Sequence, residues 1–118
     1  MIQFASPNLA TWNDRDLYKF FRDIRERFSW VSFTWNPPNI PAASTVDTTL
    51  TTSDGDFKGL RVGQAVFVSP PSSLDAGLVV GGAWVATDDT ITIRLGNVTA
   101  GGINPVSATW GAEGWLTT

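Results

Sequence analysis

After Phe28 the spacing of apolar residues along the chain changes from a helical period to the alternation of a β-strand, and it does not change back. Upstream, Leu17, Phe20, Phe21, Ile24 and Phe28 recur at i, i+3, i+4, i+7 and i+11, which puts all five on one stripe of a helix. Downstream the apolar runs are short and punctuated by turns. Residues 30–35 alternate Val31, Phe33 and Trp35 against Ser32 and Thr34 and stop at Asn36-Pro37-Pro38-Asn39, which cannot continue a central strand. Further strands are expected over 45–52, with Val46 and Leu50 on one face, and over 60–68, with a bulge at Gly63. Residues 78–86 and 90–98 flank a Thr87-Asp88-Asp89 hairpin turn. In the second of these Ile91, Ile93 and Leu95 face in while Thr90, Thr92 and Arg94 face out. A last short strand over 106–110 precedes a Gly-rich tail. Short strands with no helix between them exclude a βαβ arrangement. They predict a mainly β fold, an antiparallel β-sandwich or jelly roll with one N-terminal amphipathic helix. The chain divides into an arm and helix over 1–28 and a sandwich domain over 29–118.

The helix is expected over 14–28. Ser6-Pro7-Asn8 gives the preceding arm turn chemistry. Thr11 or Asn13 serves as N-cap, Asp14 and Asp16 sit where the helix dipole favours negative charge, and Asp23 and Arg27 form an i,i+4 pair. Such a helix is about 22 Å long, too short to be stable in water alone. Its stripe therefore needs a surface. Two are open to it: a face or end of its own β-domain, or matching stripes from other subunits in a short bundle, with Leu17 and Ile24 seven residues apart and Phe20 and Phe21 filling between.

The 118 residues include no His and no Cys, which removes the Ser-His-Asp triad, thiol nucleophiles, His or thiolate metal sites and disulfides. A net charge of −3 disfavours nucleic acid as a partner. No run approaches the length of a membrane span and the N-terminus has no export signal, so neither a membrane partner nor secretion is expected. Asp54-Gly55-Asp56 resembles a fragment of a calcium loop but lacks the distal acids, and reads as a turn. Asp88 and Asp89, adjacent at a hairpin tip, point apart into water and cannot flank a sugar. A small carboxylate enzyme would have to draw on these four or on Glu113 and would show one of them with a raised pKa in a cleft. Asn97-Val98-Thr99 matches a glycosylation sequon, which has no meaning without secretion. No catalytic, cofactor-binding or metal-binding residue is assigned.

Six tryptophans are many for this length. Trp35 and Trp84 lie in strands and are expected in the core. Trp12, Trp110 and Trp115, in the arm, at the end of the last strand and in the tail, are expected as contacts to a partner.

The succession Asp47-Thr48-Thr49-Leu50-Thr51, Gly63-Gln64-Ala65-Val66-Phe67-Val68-Ser69-Pro70-Pro71, Gly77-Leu78-Val79-Val80 with Ala83-Trp84-Val85, Thr90-Ile91-Thr92-Ile93-Arg94-Leu95 with Asn97-Val98-Thr99, and Pro105-Val106-Ser107-Ala108-Thr109-Trp110 resembles a small β-sandwich module of tailed-bacteriophage virion proteins. The likeness spans roughly residues 30–110 and leaves the arm and helix outside it. It implies a homotrimer without catalysis. For a chain this small it implies a capsid cement or decoration protein, made in the host cytoplasm and bound to the major capsid protein or another virion protein. The helical stripe would be the subunit interface, and Trp12, Trp110 and Trp115 the contacts to the shell. A short tail fibre, collar or head-fibre protein is the alternative within the virion. A carbohydrate-binding β-sandwich module is the alternative outside it, and it would be a monomer with at least two Trp along one exposed face.

Overall fold

The computed structural model of the chain describes residues 14–115, with side chains described for 15–22 and 30–114. The arm, Trp12 and the N-cap residues Thr11 and Asn13 lie outside that span, as do the side chains of Asp23, Ile24, Arg27, Phe28 and Trp115. The elements in chain order are α1 (Asp14–Arg27), β1 (Phe28–Trp35), β2 (Thr45–Leu50), β3 (Val66–Ser69), β4 (Leu78–Trp84), β5 (Ile91–Asn97) and β6 (Ala108–Trp115). The strands form two three-stranded antiparallel sheets, ordered β1-β6-β3 and β2-β5-β4, which pack face to face as a sandwich and do not close into a barrel.

Period-2 alternation explains the packing. Val31, Phe33 and Trp35 point inward from β1, and Leu78, Ile91, Ile93 and Leu95 point inward from the facing sheet, so the core is a layer of branched and aromatic side chains. Trp35 meets Trp110 edge to face at 4.9 Å, and Phe33 meets Phe57 in the same manner at 5.3 Å. β5 lies between β2 and β4, and every position except Arg94 is buried. Thr92, on the outer face as expected, is nonetheless covered by its neighbours and hydrogen-bonds Thr49 Oγ1 at 2.8 Å.

The structure corrects several boundaries. Phe28 is not the end of the helical stripe but the first residue of β1, paired with Trp115, because an eight-residue ladder with β6 captures it. The expected strand over 60–68 shrinks to β3. Residues 61–64 are instead held as a turn, in which the Arg61 N–H donates to Gln64 Oε1 at 2.9 Å and the Gln64 N–H to the Arg61 carbonyl at 3.2 Å. The Gly-rich tail is not a tail: 111–115 continue β6, with 111–114 paired on both sides at the centre of its sheet. Gly111 and Gly114 belong there because the Trp30 ring and the Leu60 side chain occupy the space that a Cβ would take.

Candidate interaction surfaces

Asn97 illustrates how polar groups of the sequence are used structurally. Its amide Nδ2 donates to the carbonyls of Ile40 (3.0 Å) and Gly101 (2.8 Å), and its Oδ1 accepts from the N–H (2.9 Å) and Oγ1 (2.7 Å) of Thr99. All four bonds an amide can make are satisfied in a buried position, so the sequon is a loop anchor. Asp54 caps its own turn by accepting the Thr51 N–H at 2.8 Å.

The hairpin tip departs from expectation. Asp89 and Asp88 do not simply face water. Asp88 Oδ1 accepts the Val62 N–H at 3.2 Å, and Asp89 Oδ1 accepts the Gly59 N–H at 2.8 Å and Arg61 Nη1 at 2.7 Å. The Gly59 N–H and then the Arg61 guanidinium hold the Asp89 carboxyl below its ordinary pKa, and Asp89 raises that of Arg61. The two acids pin the 59–62 loop to the end of the sandwich. Among the described residues no group of three or more carboxylates gathers as a metal site.

The two sheets present different outer faces. On β2-β5-β4, Arg94 makes a bidentate pair with Asp47 at 2.7 and 3.0 Å and lies 5.1 Å from the centroid of the Trp84 ring. The guanidinium lowers the Asp47 pKa, and the carboxylate raises that of Arg94. Trp84 is thus half-buried on the outer face and is not a core residue, because the register shift between Val80 and Gly82 turns the end of β4 over. On β1-β6-β3, Trp30, Glu113 and Phe67 fall in one row across three strands, with Ser32, Gly111 and Ser69 in the next. Trp30 is 54% exposed and Phe67 66%. The outward side of Trp30 follows from the same alternation that buries Val31 and Phe33. Phe67 hides in the sequence because it stands between Val66 and Val68, and only the pairing with Glu113 shows its face.

The expected interface residues separate. Trp110 is 1% exposed and is a core residue packed on Trp35, so it is not available to a partner. Its inward side is set by β6, where the register with β1 places it opposite Phe33. On α1, Leu17 and Phe20 are half-buried, Phe21 is 62% exposed and lies edge to face with Phe20 at 5.5 Å, and neither Leu17 nor Phe20 joins the sandwich core. The element that α1 mainly contacts is β1, its own continuation. Tyr18, next to the stripe and 65% exposed, widens the apolar face. Phe28 pairs with Trp115, so the end of α1 and the end of β6 lie side by side at one pole of the sheet. Set against family models, curated proteins and solved structures, the chain matches none.

Proposed function

We propose that the chain is a non-catalytic structural protein of a tailed-phage virion, a homotrimer of the cement or decoration type that binds the shell and stabilises it. The observation that supports this reading is the aromatic face of α1, whose Phe21 and Tyr18 are left uncovered by the sandwich of their own chain. A helix of 14 residues is marginal in water, and stripes from other subunits would supply what it lacks. Leu17, Phe20 and Phe21 are then the subunit contacts, with Ile24 continuing the heptad spacing. Three copies about one axis suit a three-fold site on a shell, and several weak patches acting together turn modest contacts into lasting attachment. Trp12 and Trp115 remain the proposed shell contacts, and Trp115 belongs to the pole from which α1 departs.

The test is the solution mass of the full chain by light scattering. The reading expects three times 12.8 kDa for the native protein and a folded monomer for a Leu17→Ser, Phe21→Ser variant. A monomer at all concentrations, or a trimer indifferent to both substitutions, would overturn the role of α1. The virion role is tested separately by mass spectrometry of purified particles, where a cement protein is recovered at a copy number comparable with that of capsid subunits.

A further inference from the structure

On the outer face of the β1-β6-β3 sheet, Trp30 and Phe67 stand on the strands either side of β6, both opposite Glu113. Neighbouring strands lie about 4.8 Å apart, so their backbones are separated by about 10 Å, with the carboxylate between them. Trp30 lies across Gly111, where the missing side chain lets the indole rest on the β6 backbone and leaves its other side to solvent. Glu113 has no hydrogen-bonding or ion-pair partner among the described residues, unlike Asp47, Asp54, Asp88 and Asp89. Among the described residues of the three strands it is also the only charged one on this face, which otherwise carries Ser32, Thr34, Ser69 and Thr109. The surrounding domain, residues 29–118, holds three basic against seven acidic residues.

An aromatic pair flanking an unpaired carboxylate on an acidic domain is complementary to a cation. The negative faces of the rings and the carboxylate attract the same charge, and a flat indole matches the plane of a guanidinium better than a compact ammonium. We infer that Trp30, Glu113 and Phe67 form a docking site for an arginine side chain presented by a partner protein. The site stands on the sandwich and does not depend on trimerisation through α1.

The experiment uses the full chain, labelled with nitrogen-15, and a capped Gly-Gly-Arg-Gly-Gly peptide as probe at low salt. The indole N–H resonance of Trp30 is assigned by its loss in Trp30→Phe. Binding is expected as a saturable shift of that resonance, weakened by added NaCl and absent with Gln in place of Arg. Glu113→Gln, isosteric at a half-buried position with no partner to lose, is expected to leave the rest of the spectrum unchanged and to weaken binding about threefold or more. Phe67→Ala is expected to weaken it to a similar degree, about threefold. No saturable shift, equal binding of the Gln peptide, or an undiminished affinity in Glu113→Gln would each overturn the inference. A response to a neutral cello-oligosaccharide but not to the Arg peptide would also overturn it, and would assign the face to sugar.

Discussion

Arg61 and Asp89, 28 residues apart in sequence, meet at 2.7 Å, and the carboxylate oxygen that joins them also accepts the Gly59 N–H at 2.8 Å. Asp89 does this from a left-handed backbone, φ 63°, in the turn between β4 and β5. The loop that would otherwise extend β3 is therefore fastened by a residue at a hairpin tip.

Replacing Asp89 separates the two demands on it. Asn tolerates the left-handed region and keeps an acceptor, whereas Ala has neither advantage. Asp89→Asn is expected to lower the melting temperature slightly and Asp89→Ala distinctly more, with amide exchange at Gly59 accelerated in both. Equal melting temperatures for the two variants would contradict this reading.

Acid should weaken the fold through the same groups. The folded-state pKa values of Asp47 and Asp89 are depressed from their ordinary 3.8, so their contribution is fully present above that value and is lost as pH falls through the lower folded-state values. Both pairs are exposed, so the effect is modest and shrinks with salt. Melting temperatures measured through about pH 4 and below are expected to fall less steeply in an Asp47→Asn, Asp89→Asn variant than in the native chain.

Two glycines of β6 make unequal predictions for one substitution. A Cβ at Gly111 would lie 2.6 Å from Trp30 Cη2, but that ring is exposed and can swing away, so Gly111→Ala is expected to cost about 1 kcal/mol while displacing the Trp30 indole resonance. A Cβ at Gly114 would lie 2.5 Å from Cδ2 of Leu60, which is buried in the core, and Gly114→Ala is expected to cost about 3 kcal/mol. Chemical denaturation of the two variants compares them directly.

Asn97→Ala deletes a buried amide that makes four hydrogen bonds and leaves the Thr99 N–H without its acceptor, whereas the carbonyls of Ile40 and Gly101 keep the Ile103 N–H and Thr99 Oγ1. The expected cost is about 3 kcal/mol, read from urea unfolding. A loss below about 1 kcal/mol would mean that water replaces the amide.

Trp110→Ala is expected to behave as a core deletion, destabilising by about 4 kcal/mol with no change in solution mass. Trp110→Phe is expected to cost far less, since it also removes a buried indole N–H that has no acceptor. A change of assembly state at unchanged stability would return Trp110 to the list of partner contacts.

Strict alternation made the sheets legible. Val31, Phe33 and Trp35, and Ile91, Ile93 and Leu95, are each inward as their spacing requires. What failed was local composition read without partners. Glycines at 111 and 114 look like a loose tail, yet Trp30 and Leu60, distant in sequence, require their lack of a side chain. Asp88 and Asp89 look like solvated turn residues because nothing nearby in sequence reveals Gly59, Arg61 or Val62. The row of Trp30, Glu113 and Phe67 exists only in the register of three strands. The helical stripe was readable, but its two possible surfaces were not separable by spacing, since both require the same residues.

Arg27 and Phe28 are consecutive, so α1 becomes β1 with no loop between them. A pull on the helix therefore enters the sheet along β1 and runs lengthwise against its eight-pair ladder with β6. Phe28 pairs with Trp115 at the helix end of that ladder, so a load resisted at the far end of the sandwich would shear all eight pairs together, whereas one resisted at Trp115 would peel them one at a time. The N-terminal element is thereby a tether that would hold best when the contact resisting it lies at the opposite end of the sandwich.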